Sequence, residues 1–593
     1  MRNKGSKDFI KEDITIPTLC GRCYANCAIR VQRINGIAVK IEGNPDSTMG
    51  SEGGLCAKGC AGIQVLYDPN RLNKPLRRTN PEKGLFVDPQ WKEITWEEAF
   101  AEIVPRLEKI IKEQPGKLLM QSSTIRPVRR PERMPFGAVT GPPSFFVGGG
   151  GLHCGQGAHP MAGMVHGSWS VVPDFTYCNY AIYFGASKGH GSGHSAMITA
   201  RLAAEAKTRG MKLVVFDPTC TTAGGKATEW IPIIPGVDAA VVLAMCNVIV
   251  NELELYDEIF LKLKTNAPYL IGPDGHYVRE KGPARGIKDP HSKDDIVYVG
   301  DDDTNKPLVW DAVDGMAKIY DDPGIKEYAL EGEYAVNGKT CRPVFQHVRE
   351  HLKGYTCEIA SEASTVPAET IRRIATEFAE AAQIGSTIMI EGKELPFRPA
   401  SAVIFRGGQG HENSHHTCFS VALLNSIIGG CDVPGGTLGW PARCFGFPET
   451  GKIKCEPWKG VDGFLQIEHF GPESGGVVHT HGPWPVAFPR NAYQLGLLDL
   501  FSLAPFPFIF GSSDQDELWE KIGTDYRIEM LMVWGCNSVM STASREILDK
   551  TLKKIPFTVV FEHFNTELTE GYADIVLPDT CYLEELHWSE GLG

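Results

Sequence analysis

The stretch AIYFGASKGHGSGHSAMITARLAAEAKTRGMKLVVFDP, residues 181–218, carries the pattern that decides the fold. AIYF is a short apolar run, and a loop with Gly185, Gly189, Gly191 and Gly193 follows it. Apolar residues then recur at helical spacing through SAMITARLAAEAKTRG, and MKLVVFDP is a second apolar run that ends at Asp217. Strand, glycine-rich loop, helix and strand in this order make a βαβ unit of the dinucleotide-binding kind. Glycines at the strand-to-helix turn let backbone amides approach a phosphate, and the helix N-terminus adds its dipole. Asp217 stands where an acid can bond a ribose or a base edge. The spacing is not G-x-G-x-x-G, so a nicotinamide cofactor is poorly supported, and a generic α/β unit with a flexible loop remains the plain alternative. In IIPGVDAA, Pro235 and Gly236 make a turn, and Asp238 before a long helix reads by itself as an N-terminal cap.

A second unit of this kind lies late in the chain. IEMLMVWGCNS (528–538) is a strand and turn, ASREILDKTLKK a helix, and PFTVVFEHF (556–564) the next strand. Two such units suggest two nucleotide-like moieties. Near the start, RINGIAVKIEGNP places an Asn-Gly turn between two short runs, the signature of a hairpin. WKEITWEEAFAEIVPRLEKIIKEQ predicts a helix over about 95–113 with a Thr able to cap its first turn. The composition of 265–345 is polar and Gly/Asp-rich, which reads as an irregular insertion without a core of its own, and 440–510 is a second irregular stretch.

At 593 residues the chain exceeds what one core supports, so several domains are expected. Its 42% hydrophobic and 22% charged residues are ordinary for a soluble protein, and no run approaches the length of a membrane span. A net charge of −13 with scattered basic residues argues against a nucleic-acid partner, the one short basic stretch being RPVRRPER at 126–133. The N-terminal segment shows no apolar signal region and no twin arginine, so a cytoplasmic location is expected. Seventeen cysteines, an odd number, fit a reducing compartment in which thiols serve as ligands or fill cores.

Four of those thiols form a motif. Cys20, Cys23 and Cys27 stand as C-x2-C-x3-C, and Cys56 returns in GGLCAKGC. Three thiolates on one tight loop with a fourth from a distance suit a 4Fe-4S cluster. Zinc is the main rival, although structural zinc usually shows two paired knuckles. A further thiol, Cys154, sits in GGGGLHCGQGAHPMAGMVHGSW (148–169) among glycines, His153, His159 and His166. It could bind a soft heavy metal, act as a nucleophile or be structural, and the histidines could bind zinc.

From about residue 17 to 593 the chain resembles the catalytic subunit of the molybdopterin oxidoreductase family, the dimethyl sulfoxide reductase superfamily. The resemblance rests on the cysteine set with Lys58 behind Cys56, on DPNRLNKPLRR, WKEITWEEA, VVFDPTCTTAGGKATEWIPIIPGVDAA, ALLNSIIGGCDVPGG, WGCNS and YADIVLPDTCYLE, in that order. It implies an α/β, multi-domain fold: a small β-rich 4Fe-4S domain (14–75) followed by Rossmann-like α/β domains that bind two pterin guanine dinucleotides. One of these would comprise 76–150 and 390–593, and the other 151–389 with the insertion at about 265–345. The implied cofactors are a 4Fe-4S cluster and bis(molybdopterin guanine dinucleotide) with molybdenum or tungsten.

The resemblance also implies roles. Cys20, Cys23, Cys27 and Cys56 would hold the cluster, Lys58 would lie between cluster and pterin, and Cys154 would ligate the metal. Gly185, Asp217, Gly236 and Asp238 would contact one dinucleotide, and Gly535, Asn537 and Ser538 the other. His153, His159, Gln409, His411 and Glu412 are candidates for handling substrate or protons. The expected partner is a ferredoxin-like iron-sulfur protein, and the expected activity is passage of electrons between it and a small-molecule substrate. Departures shape this expectation. Ala186-Ser187 and Asn537-Ser538 stand where the family often has Asn-Pro, and Gly155 follows Cys154 where formate dehydrogenases have His. Tyr24 stands where acetylene hydratase carries an Asp, which weakens acetylene hydration; the alternative is a non-redox hydratase or transhydroxylase of the same family, acetylene hydratase-like or phenol transhydroxylase-like. The family's closing C-terminal domain would begin soon after YLE, so a fragment, or a chain completed by a second polypeptide, is expected. A cofactor-free relay or scaffold module is the remaining reading.

Overall fold

Strands that are buried on both faces need no alternation of polar and apolar residues, and the two apolar βαβ patterns build two such sheets. The structure, a computed structural model, describes residues 12–23, 26–47, 52–113, 117–123, 144–148, 157–168, 170–190, 199–282, 286–287, 298–299, 305–411, 413–440, 458–459, 465–466, 527–541 and 545–585. The chain divides into two units, one comprising 1–156, 194–201 and 441–593, the other 157–193 and 202–440.

The first unit begins with a three-stranded antiparallel sheet, Asp13–Leu19, Ala28–Ile34 and Ile37–Gly43. Its second turn is the expected Asn-Gly hairpin, with Asn35 and Gly36 at φ 51 and 81, the left-handed pair that such a turn requires. A seven-stranded sheet follows, ordered Trp91–Glu93, Leu76–Arg78, Ile575–Pro578, Phe557–Glu562, Met530–Trp534, Leu118–Ser123, Ser144–Gly148. The last five strands are parallel.

Side chains from this sheet alternate between two cores. Leu119, Leu531, Val533, Val560 and Val576 pack on one face with Leu548 and Leu552 of the helix Arg545–Lys554. Leu118, Met120, Met530, Met532, Val559, Ile575 and Leu577 pack on the other with Ala99, Ile103 and Ile110 of the helix Trp96–Glu113. The predicted cap is present at that second helix: Thr95 Oγ1 accepts from Glu98 N at 3.1 Å, and Glu98 Oε2 accepts from Thr95 N at 2.7 Å.

The second unit holds a four-stranded parallel sheet, ordered Glu229–Ile231, Lys212–Phe216, Tyr180–Phe184, Ala400–Ile404. Tyr180–Phe184 and Ala400–Ile404 are buried throughout. The helix Ser414–Ile427, largely buried, packs against Ala400–Ile404 of the sheet, and the buried helix Asp238–Asn247 packs on it in turn. Two expectations are corrected here. The resemblance groups residues 390–440 with the late βαβ unit, but Ala400–Ile404 pairs with Tyr180–Phe184 and so belongs to the second unit. The 265–345 stretch has a core after all: Leu270, Leu308, Val336 and Cys341 cluster beneath antiparallel ladders. Most of 440–510 lies outside the described residues. Among the described residues, no helix is long and apolar enough to cross a membrane.

Candidate functional site: a cysteine cup and two strand switch points

The cysteine loop closes on itself where Cys20 N donates to Cys27 O at 2.8 Å, around Asn26 in the left-handed region at φ 42. Burial pushes the Cys20 thiol up to about 11 and the Cys27 thiol up to about 12, and in each case neighbouring thiols of the set, Cys56 among them, add to the rise. The Arg22 backbone amide donates to the Cys20 sulfur and opposes this. Without a metal to replace their protons these thiols stay neutral, and a bound cluster would hold them as thiolates. Among the described residues, no three His, Cys, Asp or Glu side chains gather closely enough to hold a metal ion. Lys58 is exposed on the one-turn helix Ala57–Cys60 that Cys56 begins.

In the second unit, chain order reverses beside Tyr180–Phe184. From this strand the sheet runs to Lys212–Phe216 on one side and to the much later Ala400–Ile404 on the other. Such a switch point opens a crevice at the carboxyl ends of the strands, where ligands of open α/β sheets bind. Gly185, at φ 50, leads out of the strand there. A Cβ on it would lie 2.1 Å from Gly408 N, and Gly407 N donates to Gly185 O at 2.9 Å. Asp217 leaves the neighbouring strand and accepts from Thr219 N and Oγ1. Asp238 is the first helical residue and not the expected cap, since Val237 occupies that position. Burial, with the Asp217 carboxylate adding to it, pushes the Asp238 carboxyl up to about 6. A Cβ on Gly236, at φ 84, would lie 3.6 Å from the His411 ring, whose Nε2 reaches Gly408 O at 3.2 Å.

The structure thus brings Gly185, Asp217, Gly236, Asp238 and His411 to one end of one sheet. Gln409 Oε1 accepts from Ala158 N at 2.7 Å at the start of the helix Ala158–His166. His159 is buried edge-on to Phe405, and His166 Nδ1 meets Asp432 Oδ2 at 2.9 Å. His190, which sequence reasoning passed over, is buried in the glycine-rich loop with Nε2 unpartnered. Burial there, with Lys226 and Lys207 nearby, lowers its imidazole to about 4, so it is neutral at ordinary pH. Its position between Gly189 and Gly191 was the available signal.

The seven-stranded sheet has its own switch point, between Met530–Trp534 and Leu118–Ser123. Gly535, at φ 55, turns the chain out of Met530–Trp534 and donates its N–H to Phe561 O at 3.0 Å. Asn537 Nδ2 donates to Glu567 Oε2 at 2.5 Å, but its Oδ1 is buried and unpartnered, as is the Ser538 hydroxyl. Orphaned buried polar atoms cost stability unless a ligand satisfies them. His153, Cys154, Gly155, Gly191, Gly193, Tyr24 and Glu412 lie outside the described residues.

Two sheets with glycine-lipped switch points, in a chain that carries Cys20, Cys23, Cys27 and Cys56 near its start, agree with what family models match. The molybdopterin oxidoreductase model covers residues 189–587, and the molybdopterin oxidoreductase Fe4S4 domain model covers 14–68. The chain belongs to the molybdopterin oxidoreductase family. A sulfite dehydrogenase chain of Allochromatium vinosum is 29% identical over 96% of this chain and 58% of its own length. The thiosulfate reductase molybdopterin-containing subunit of Salmonella typhimurium is 31% identical over 42% of this chain and 31% of its own length. Acetylene hydratase from Pelobacter acetylenicus shares the fold, with a TM-score of 0.56 and 19% identity over 96% of this chain and 63% of that one. The chain thus spans less than two thirds of these relatives.

Membership in the family brings a molybdopterin cofactor with molybdenum and a 4Fe-4S cluster. The residues present fit both. Cys20, Cys23, Cys27 and Cys56 offer four soft sulfur donors, and the two switch points offer unpartnered polar atoms at Asn537, Ser538 and His190.

Proposed function

We propose that this chain is the catalytic part of a molybdenum oxidoreductase that passes electrons between a small sulfur oxyanion and an iron-sulfur electron-transfer partner. The observation that carries the reading is the pair of switch points, one in each unit, in a chain that also carries Cys20, Cys23, Cys27 and Cys56. Two crevices of this kind suit the two halves of bis(molybdopterin guanine dinucleotide). When bound, the pterin-metal centre supplies two-electron exchange with substrate and the cluster supplies one-electron exchange with the partner.

The chain's residues then have separate tasks. Cys20, Cys23, Cys27 and Cys56 would hold the cluster, and the exposed Lys58 would assist electron transfer between cluster and pterin. Asp217 and Asp238 accept from the N–H groups of a guanine or the hydroxyls of a ribose, which requires Asp238 to be ionised. Gly185 and Gly236 keep the crevice open to the dinucleotide backbone, while Gly535, Asn537 and Ser538 do the same in the first unit. Cys154 would ligate the metal, and His153 and His411 are candidates for moving protons. The relatives named for sulfite and thiosulfate make those two ions the first substrates to try.

The test is to express the protein in its full gene context and measure molybdenum, tungsten and the cluster's paramagnetic signal. Sulfite and thiosulfate turnover is then assayed with and without an electron acceptor or donor. The proposal expects molybdenum, a reducible cluster and turnover that stops without the mediator. Absence of both metals and of the cluster signal would overturn it. Turnover undiminished without any mediator would transfer the assignment to a non-redox hydratase.

A further inference from the structure

Tyr582 comes from the far end of the described chain, yet its ring packs in the core of the cysteine loop with Cys20, Cys27, Ile29, Val31 and Ile41. Its segment is pinned. Arg71 grips the Glu584 carboxylate with two bonds of 3.1 and 2.7 Å, Glu584 accepts from Cys581 N at 2.8 Å, and Thr580 O accepts from His563 Nε2 at 2.9 Å. Two glycines make room for the ring. A Cβ on Gly21 would lie 2.6 Å from Tyr582 Cβ, and one on Gly62 would lie 2.0 Å from the tyrosine hydroxyl.

The hydroxyl so placed is buried and has no partner in hydrogen-bond geometry. The ring that carries it packs against Cys20. An unpartnered buried hydroxyl is a liability, and a neutral thiol is a weak acceptor that does little to relieve it. A cluster-bound thiolate carries charge and accepts much better.

We propose that the Tyr582 hydroxyl donates a hydrogen bond to the Cys20 sulfur of the loaded 4Fe-4S cluster and so raises the cluster's reduction potential. One-electron reduction adds negative charge to the cluster and its sulfurs, so a donor aimed at one of them stabilises the reduced form more than the oxidised form. Tyr582 is thus a positioning residue for the electron path and touches no substrate. The inference rests on the assignment of the cluster to Cys20.

The test is a redox titration of the loaded holoenzyme, followed through the cluster's paramagnetic signal. Tyr582→Phe removes one oxygen and should lower the reduced-to-oxidised ratio at fixed ambient potential several-fold, a tenfold change being 59 mV for a one-electron couple. Gly62→Ala keeps the phenol but pushes its hydroxyl away, and should shift the midpoint in the same direction. In deuterated buffer, pulsed paramagnetic resonance should show an exchangeable deuteron coupled to the wild-type cluster that is missing in Tyr582→Phe. Unchanged midpoints in both variants would overturn the proposal. So would loss of the cluster in Tyr582→Phe, because the hydroxyl would then serve assembly and not potential. A wild-type holoenzyme without any cluster signal would instead overturn the cluster assignment itself.

Discussion

Asp238 ties the electrostatics of the second-unit crevice to a measurable slope. Its carboxyl rises from 3.8 to about 6, chiefly because burial disfavours the charged form and secondarily because Asp217 is near. A rise of about two units corresponds to about 3 kcal/mol. The sign follows from proton binding. Between pH 4 and 6 the folded chain holds a proton that the unfolded chain has released, so stability falls as pH rises through that window and levels off above it. Asp238→Asn removes the titration and keeps the shape. Urea unfolding of the cofactor-free chain and of this variant, compared from pH 4 to pH 7, cancels the other titrating groups. The wild type should lose about 3 kcal/mol relative to the variant across that range. In the loaded protein the relation should reverse, because guanine N–H donors need the carboxylate, and dinucleotide retention should weaken below about pH 6. A pH-independent difference between wild type and variant would refute the reasoning, since Asp238 would then ionise normally.

Two further outcomes follow from buried charge and from the cysteines. Arg398 donates to Asp257 Oδ2 through Nε at 2.8 Å and Nη2 at 2.6 Å, both side chains being buried. Arg398→Met should cost about 3–5 kcal/mol in unfolding free energy by stranding that carboxylate, and a loss below about 1 kcal/mol would show that the pair is hydrated. Cys23→Ala should abolish the cluster's paramagnetic signal, whereas Cys154→Ala should leave the signal intact and abolish turnover; full activity in Cys154→Ala would show that the metal ligand is elsewhere.

Local pattern made part of this architecture legible. Runs such as KLVVF and MLMVW are buried on both faces, and burial of that kind writes itself as continuous apolar sequence whatever the strand's neighbours are. Neighbours are another matter. Nothing within ASAVI says whether it joins the early sheet or the late one, because that is decided by register with Tyr180–Phe184 across the fold. For the same reason Tyr582 stands out in the sequence only as one letter of a family motif: its place is defined by the space at Gly21 and Gly62, residues remote in sequence. Asp238 illustrates a subtler limit. Acid before a helix suggests a cap, but one residue of offset puts the side chain inside the first turn and buries it, which converts a capping group into a titrating one.

Gly185 and Gly535 occupy equivalent places, each leading out of a strand beside a switch point with φ 50 and 55, but they are glycines for different reasons. At Gly185 the backbone of Gly407 and Gly408 fills the space, so any side chain collides with main chain that cannot give way. At Gly535 no described atom lies within 4 Å of an added Cβ, and only the left-handed conformation argues for glycine. Asn adopts that conformation readily. Gly185→Asn should therefore cost more than about 3 kcal/mol or prevent folding, while Gly535→Asn should cost less than about 1 kcal/mol. If the space at Gly535 belongs to the dinucleotide, the stable Gly535→Asn chain should nonetheless purify with little pterin. Equal stability losses would refute the distinction between crowding and conformation, and full pterin content in Gly535→Asn would remove Gly535 from the binding site.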